Sequence, residues 1–323
     1  MTKPALLITA PMMDGVLRAL DAEFSVHRLW EQADREEFLA RTGPDIRGLA
    51  TNTLFGRLDE ALLAQLPNLE IIANFGVGYD NVDAEAAAAR RVVVTNTPHV
   101  LDEEVADLTI GLVLATLRQI PQADHYLRAG RWERGPFPLS GTLRGRRVGI
   151  LGLGNIGKAV ARRLEGFGVP IAYHGRSPQP DVAYPWHPTL IGLASWCDVL
   201  IIVVPGGAAT RHLVDAPVLE ALGREGVLIN IARGSVVDEA ALIAALREGV
   251  IQSAGLDVYE EEPHVPADLI AMPNLVLLPH VGSGSLHTRE AMGRLVVDNL
   301  IGWFRDGAAL TPVRETAHLG HKC

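Results

Sequence analysis

A glycine-rich turn between an apolar run and a helix-forming run constrains this chain more than any other feature. The stretch VGILGLGNIGKAVARRL (148–164) has the spacing G-x-G-x-x-G. In dinucleotide-binding folds the first glycine permits a tight turn, the second admits a pyrophosphate, and the third lets the helix pack on the sheet. Unpaired amides at the helix start then bind the phosphate anion. The predicted phosphate-binding residues are Gly152, Leu153, Gly154, Asn155, Ile156 and Gly157.

Two series of short apolar runs alternate with helical patterns. Strands are predicted at 5–9, 25–29, 48–51, 70–74 and 92–95, and then at 147–152, 170–173, 198–204, 227–231, 253–258 and 274–279. This βαβ rhythm predicts parallel sheets covered on both faces. A length of 323 residues favours two domains. The hinge between them is expected near 97–99, with the last helix returning to the first half.

Two long helices and a tail complete the pattern. Residues 101–120 read as one helix that ends before Pro121, with acidic residues in its first turn. Its apolar C-terminal half favours an oligomer interface. A final helix is predicted at 285–306. The segment beyond about 314 has no periodicity, and we expect it to be loose.

Composition excludes several classes of protein. A net charge of −9 without long charged runs argues against general nucleic-acid binding. Two cysteines form no disulfide framework, and Cys197 is expected to be a small buried residue. No apolar stretch reaches the roughly 20 residues of a membrane span, and none resembles a signal peptide. We therefore expect a cytoplasmic protein with neither a membrane nor a nucleic-acid partner, and we predict no metal site.

The stretch YHGRSP (173–178) lies where many dinucleotide-binding folds place an acid that holds the ribose. Here Gly175 leaves room for a 2′-phosphate, while Arg176 and Ser177 offer donors and His174 a further nitrogen. The absence of an acid predicts a preference for NADP(H), with NAD(H) use still possible. The alternative is that Arg176 is an ordinary solvated loop charge.

Three polar residues follow predicted strands and form a complete chemical set. Arg233 follows the strand ending at 231, Glu262 the strand ending near 258, and His280 the strand 274–279. Taken singly, each also has an ordinary structural interpretation. Because the carboxyl ends of parallel strands share one edge, we expect them to meet there. Arg233 would bind a 2-oxo acid, His280 would exchange the proton, and Glu262 would orient His280 during hydride transfer.

These motifs, in this order, resemble the D-isomer-specific 2-hydroxyacid dehydrogenase family. The resemblance spans about residues 45–313 and is carried by NFGVGYDNVD (74–83), VTNTPHVLDEEVADLTIGLVLA (94–115), GRRVGILGLGNIGKAVA (145–161), INIARGSVVDEAAL (229–242), GLDVYEEEP (255–263) and LLPHVGSGSLHTR (277–289). It implies an α/β fold of two doubly wound parallel-sheet domains. A Rossmann domain (99–285) is inserted in a flavodoxin-like substrate domain (1–98 and 286–323). The resemblance also implies a homodimer and catalysis by Arg233, Glu262 and His280.

The resemblance carries over further residues. Substrate-binding positions are Leu54, Val77, Gly78, Arg233, His280 and Trp132, the last reaching a partner subunit or acting only as an interface anchor. Cofactor-binding positions beyond the glycine turn and residues 174–177 are Thr109, Val204, Pro205, Thr210, Ile231, Ala232, Arg233, Asp257, His280, Gly282 and Ser283.

Smaller sequence features indicate a subgroup within this family and leave alternative substrates and functions open. YHGRSP and LLPHVGSGS are most similar to NADPH-dependent glyoxylate/hydroxypyruvate and hydroxyphenylpyruvate reductases, whereas PGGAAT (205–210) departs from the family's usual loop. The expected substrates are small 2-oxo acids such as glyoxylate and hydroxypyruvate, with hydroxyphenylpyruvate or 2-ketogluconate as alternatives. A non-catalytic nucleotide sensor is a second class. A formate user is disfavoured because Glu262 stands where those enzymes have glutamine, and a phosphite user is a weaker alternative.

Overall fold

The computed structural model describes residues 3–53 and 56–322. The chain divides into two compact units: a terminal unit formed by residues 1–101 with 285–323, and a central unit formed by residues 102–284. Both units contain a wholly parallel sheet with helices, as the alternating pattern predicts. The predicted α/β fold is therefore confirmed.

The terminal unit has a five-stranded sheet in the order β2-β1-β3-β4-β5, which is the flavodoxin-like order. Its strands are fully or nearly fully buried except at β2, where the edge is partly exposed. The strands are β1 Ala5–Ile8, β2 Ser25–Arg28, β3 Ile46–Asn52, β4 Ile71–Phe75 and β5 Val93–Thr95, and the helices are α1 Asp14–Glu23, α2 Arg35–Thr42, α3 Glu60–Ala64, α4 Ala84–Ala89 and α12 Leu286–Asp306, with 3₁₀ turns at Leu29–Glu31, Gly43–Asp45 and Arg314–Leu319.

The central unit has a six-stranded sheet in the order β7-β6-β8-β9-β10-β11. An isolated parallel bridge from Tyr173 to Trp186 extends it beyond β7, completing the Rossmann arrangement. The strand order reverses between β6 and β8, and such a switch point is where ligands bind. The strands are β6 Val148–Leu151, β7 Ile171–His174, β8 Val199–Ile202, β9 Val227–Asn230, β10 Ser253–Leu256 and β11 Leu275–Leu277, and the helices are α5 Asp102–Arg118, α6 Ile120–Arg128, α7 Asn155–Glu165, α8 Leu190–Trp196, α9 Ala216–Leu222, α10 Glu239–Glu248 and α11 Ala267–Ala271, with 3₁₀ turns at Arg131–Arg134, Ala208–Thr210 and Gly234–Val236.

Short polar side chains begin most of these helices. Each of them accepts a hydrogen bond from the amide three residues further along, which satisfies one of the unpaired donors at a helix start. Such an N-cap residue directly precedes seven helices, namely Asp34 before α2, Asp59 before α3, Asp83 before α4, Thr189 before α8, Asp215 before α9, Asp238 before α10 and Ser285 before α12.

The predicted helix over 101–120 is confirmed as α5, but the chain around Pro121 differs from the prediction. Helix α5 ends at Arg118, Gln119 adopts a left-handed conformation with φ 52°, and α6 begins at Ile120. Pro121 lies in the first turn of α6 rather than after the last turn of α5. A proline is tolerated there because the first helical amides have no intrahelical acceptor. The same proline therefore starts a second helix.

The prediction of a loose tail after residue 314 is wrong. Residues 314–319 form a 3₁₀ turn, and Thr316 is completely buried against β5, exchanging hydrogen bonds with the Val94 amide (3.0 Å) and carbonyl (3.1 Å). Lys322 pairs with Glu70 at 2.6 Å. Burial raises the pKa of Glu70, but Lys322 and Arg47 outweigh it and leave the pKa below its usual value. Single long-range contacts order this segment, and they produce no periodic pattern.

Cys197 is buried, as predicted, and burial raises the pKa of its thiol to about 12, so the thiol is unreactive at neutral pH. Among residues 3–53 and 56–322, no helix combines the length and apolarity needed to cross a bilayer. Over the same residues, His, Cys, Asp and Glu side chains form no group of three that could hold a metal ion.

Candidate active site

The three motif glycines occupy positions with different steric demands. Gly152, directly after β6, has φ +96°, and a Cβ there would lie 2.8 Å from Val204 Cγ1. A Cβ on Gly157 would overlap the Gly152 carbonyl oxygen, so helix α7 packs against the turn itself. A Cβ on Gly154 would meet nothing within 4 Å. The crowded first and third glycines and the open second one fit a turn that admits a pyrophosphate.

The start of helix α7 suits an anion. Gly154 is its N-cap residue and has no side chain with which to satisfy the first amides. Such amides, at the positive end of the helix dipole, bind phosphate. A dinucleotide would therefore be held by the amides of residues 155–157, as the motif predicts.

The loop after β7 is open around the predicted 2′-phosphate position. A Cβ on Gly175 would have no neighbour within 4 Å, and Arg176 and Ser177 are exposed. His174 Nδ1 donates a hydrogen bond to the His187 carbonyl oxygen at 2.8 Å, because a carbonyl oxygen can only accept one. Gln179 Nε2 donates to the Leu153 carbonyl at 2.8 Å, which attaches this loop to the glycine turn. Sequence reasoning missed Gln179.

The loop after β8 borders the same turn. Gly152 and Gly157 face the Val203 and Val204 side chains, so β8 ends directly against the phosphate-binding segment. Further along, Thr210 Oγ1 donates to the Pro205 carbonyl at 2.7 Å, closing a compact loop. Val204, Pro205 and Thr210 thus lie on the switch-point side of the sheet.

The loop that carries Arg233 is shaped by its neighbours in sequence. Asn230, nearly fully buried at the end of β9, accepts from the Ala232 amide (3.1 Å) and donates to the Arg233 carbonyl (2.9 Å). Arg233 itself donates to the Ala232 carbonyl at 2.8 Å. A Cβ on Gly234 would overlap the Tyr259 carbonyl group and the Glu260 amide nitrogen. Only glycine therefore allows this loop to contact the loop that carries Glu262.

Glu262 and His280 form a hydrogen-bonded pair, with Glu262 Oε2 2.6 Å from His280 Nδ1. The other Glu262 oxygen accepts from the Tyr259 amide at 3.0 Å. Burial raises the pKa of Glu262, but His280, the Tyr259 amide and the Arg233 charge outweigh it and leave the pKa below its usual value. An ionised carboxylate only accepts hydrogen bonds, so Nδ1 carries a proton. Nε2 is then the nitrogen that exchanges a proton with another molecule.

Asp257 holds the turn that presents His280. Its side chain is 1% exposed, and its two carboxylate oxygens accept from the Val281 and Gly282 amides, both at 2.8 Å. The His280 amide donates to the Asp257 carbonyl at 2.8 Å, and His280 has the left-handed φ of 52°. Burial is the main reason that the pKa of Asp257 is raised. These contacts stabilise a backbone conformation that is uncommon for residues other than glycine.

The other predicted site residues fall into three groups. Thr109 is fully buried, and its hydroxyl donates to the Val105 carbonyl at 2.7 Å. Ile231 and Ala232 are buried directly after β9. Gly282 is buried after β11, and Ser283 beside it is partly exposed. Val77 and Gly78 belong to the terminal unit, where the Asn74 and Asn96 side chains bond the carbonyls of their loop. Trp132 is 67% exposed in the central unit. Leu54 lies outside the described residues.

The central unit thus brings the glycine turn and the Arg233, Glu262 and His280 loops to the carboxyl ends of one parallel sheet. Asn230 and Gly234 were missed as shaping residues, although their position beside Arg233 in INIARGS offered a signal. This edge holds a nucleotide-binding turn, a cation, and an ionised acid that orients an imidazole. Chemically, such a set binds a carboxylate and transfers a proton beside a bound dinucleotide.

Comparison with known proteins gives a consistent result. The profile of the family described as "D-isomer specific 2-hydroxyacid dehydrogenase, NAD binding domain" matches residues 110–282. The chain is 47% identical over 307 residues to glyoxylate/hydroxypyruvate reductase A of Arabidopsis thaliana, covering 95% of this chain and 98% of the relative. It is 46% identical to hydroxyphenylpyruvate reductase of Plectranthus scutellarioides, with the same two coverages of 95% and 98%.

A solved structure is similar over the whole length. The NADPH-dependent glyoxylate/hydroxypyruvate reductase of Sinorhizobium meliloti, in complex with NADP and malonate, matches with a TM-score of 0.94 and 54% sequence identity. The match covers 100% of this chain and 99% of the other.

Proposed function

This chain belongs to the D-isomer-specific 2-hydroxyacid dehydrogenase family of nicotinamide-dependent oxidoreductases, and we propose that it reduces glyoxylate and hydroxypyruvate to D-2-hydroxy acids with NADPH. The observation that carries the proposal is the 2.6 Å hydrogen bond between Glu262 and His280, on the sheet edge that also holds Arg233 and the glycine turn. The names of the related reductases support the substrate class.

In the proposed reaction each group has one task. Arg233 binds the substrate carboxylate and the neighbouring carbonyl through its paired guanidinium donors. Bound NADPH supplies the hydride. His280 Nε2 donates its proton to the carbonyl oxygen and reclaims it in the reverse direction. Glu262 fixes the His280 ring through Nδ1. Because the pKa of Glu262 is lowered, this carboxylate stays ionised at neutral pH and stabilises the imidazolium.

The proposed choice of NADPH rests on the loop after β7. Room at Gly175 and the exposed donors of Arg176 and Ser177 favour a 2′-phosphate, and none of residues 175–177 is a carboxylate that would repel it. The related Sinorhizobium meliloti enzyme is described as NADPH-dependent.

A turnover assay tests the function directly. Glyoxylate and hydroxypyruvate should oxidise NADPH, with hydroxyphenylpyruvate and 2-ketogluconate as competing substrates and NADH as the competing cofactor. Chiral chromatography should identify the D-isomer where the product has a stereocentre. If NADPH binds but no 2-oxo acid causes oxidation of NADPH or NADH, the protein is a nucleotide sensor rather than an enzyme.

Exchanging the cofactor loop should change specificity. Replacing Gly175→Asp together with Arg176→Gln removes a phosphate donor and adds a repelling carboxylate. We expect the ratio of kcat/KM for NADPH over NADH to fall by at least about tenfold, since one charge-assisted hydrogen bond contributes that much. Steady-state kinetics with both cofactors measures the ratio, with Arg144→Gln as the control for an exposed arginine elsewhere. An unchanged ratio would mean that other groups bind the phosphate.

We propose that the enzyme acts as a homodimer through the segment around α6. Leu127 is 56% exposed and Trp132 is 67% exposed, so two large apolar side chains five residues apart face away from the unit's core. Tyr126 and Phe137 pack edge-to-face at 5.4 Å, so the segment is itself ordered. Light scattering should give twice the 34.8 kDa chain mass, and Leu127→Asp with Trp132→Ala should lower it toward one chain. A wild-type monomer would contradict the proposal.

A further inference from the structure

Glu260 joins two loops of the central unit that are 48 residues apart in sequence. Its Oε1 accepts from Arg211 Nη2 at 2.7 Å and from His212 Nε2 at 2.8 Å. Arg211 and His212 directly follow Thr210, at the end of the loop that starts against the glycine turn. Glu260 lies two residues before Glu262. One carboxylate oxygen therefore connects the nucleotide side of the sheet edge to the segment that holds the proton-transfer pair.

His212 strengthens this connection through its backbone. It has a left-handed φ of 49°, and its amide donates to the Ser235 carbonyl at 2.8 Å, in the loop of Arg233. Its ring reaches Glu260 from this fixed position. His212 thus contacts the loop that carries Arg233 and the loop that carries Glu262.

The backbone of Tyr259 and Glu260 is the place where these contacts converge. The Tyr259 amide donates to Glu262, and the Tyr259 carbonyl and Glu260 amide lie against Gly234. A displacement of Glu260 moves this backbone segment, and with it both the Tyr259 amide that supports Glu262 and the groups that contact the Arg233 loop. Glu261, by contrast, contacts His264 through a backbone bridge.

We propose that Glu260 is a positioning residue that couples occupation of the nucleotide loop to the geometry of the Glu262–His280 pair. This inference rests on the proposed function and adds a residue that touches neither hydride nor proton. Ordering of residues 205–212 around a nucleotide restrains Arg211 and His212, and through Glu260 it restrains the loop of Glu262. Misplacement of catalytic groups by small distances lowers turnover strongly.

The same contact contributes little to stability. Arg211 is 57% exposed, and ion pairs with such exposure are weak because water screens them. Removing the Glu260 charge should therefore lower activity while leaving the melting temperature nearly unchanged. A purely structural role would give the opposite result.

The test compares Glu260→Gln with the neighbouring Glu261→Gln, which makes the same charge change without the Arg211 and His212 contacts. We expect Glu260→Gln to lower kcat about tenfold and to raise the NADPH dissociation constant, measured by calorimetry, by several-fold. Its melting temperature should stay within about 2 °C of wild type. Glu261→Gln should match wild type in all three measurements.

A double variant locates the route. Arg211→Ala combined with Glu260→Gln should lower kcat no further than the more severe single change, because both changes remove the same contact between Arg211 and Glu260. Strictly additive effects, or equal kinetics for Glu260→Gln and Glu261→Gln, would overturn the coupling while leaving the proposed function intact. A wild-type enzyme that reduces no 2-oxo acid would instead overturn the proposed function, and the coupling with it.

Discussion

Replacing His280 by alanine should lower kcat for hydroxypyruvate reduction by two to four orders of magnitude, the range that general acid catalysis contributes. The imidazole is held by Glu262 at Nδ1 and by the Asp257 turn, so Nε2 has a defined position for proton transfer. No neighbouring group replaces it easily, because Glu262 is ionised and carries no proton to give. The loss should therefore fall on turnover.

Binding of NADPH provides the internal check on this variant. His280 follows β11, whereas the phosphate-binding turn follows β6, so the NADPH dissociation constant should change by no more than about threefold, a small loss on the scale of binding free energies. His318→Ala, an exposed histidine of the terminal unit, is the matched control. Full activity in His280→Ala would show that another group donates the proton. An equally large loss of nucleotide affinity would show that His280 acts mainly in binding.

Replacing Gly234 by alanine should be nearly as damaging, although a single methyl group is added. The new Cβ would overlap the Tyr259 carbonyl group and the Glu260 amide nitrogen, and these are backbone atoms that no rotamer change can move. The Arg233 and Glu262 loops must then separate. We expect kcat/KM to fall at least about a hundredfold, the loss that a displacement near 1 Å causes, and the melting temperature to fall as well.

Gly111→Ala is the control for this change. Gly111 lies in α5 of the same unit, and a Cβ there would meet nothing within 4 Å. Alanine is also the better helix former, so this variant should be as stable as wild type or slightly more so. Steady-state kinetics and thermal denaturation of Gly234→Ala and Gly111→Ala measure both predicted effects. A Gly234→Ala enzyme with wild-type kinetics would mean that the two loops need not touch.

Features encoded in short sequence patterns were predictable. The apolar strands with helices between them predicted two parallel sheets, and both sheets are present. The glycine spacing predicted a turn with crowded first and third positions, which Gly152 and Gly157 show. Topology then predicted that residues after successive strands share an edge, and Glu262 and His280 are in fact hydrogen-bonded there.

Features that depend on single long-range contacts were not predictable. Thr316 fits against Val94 across 222 residues, and this contact helps to order a tail that the sequence alone suggested was loose. Pro121, which the sequence suggested follows the end of a helix, instead lies in the first turn of α6. Glu260 carried no signal in the sequence that distinguished it from Glu261, and only the structure shows its contacts with Arg211 and His212.

The sequence by itself determined the class of fold, the nucleotide-binding turn and the three polar residues of the candidate site, because these follow from local periodicity and from the fixed geometry of parallel strands. The tertiary structure decided which nitrogen of His280 is available, why residue 234 must be glycine, and which glutamate of YEEEP contacts Arg211. Those answers depend on distances between loops far apart in the chain, and such distances are set only when the sheets and helices have packed.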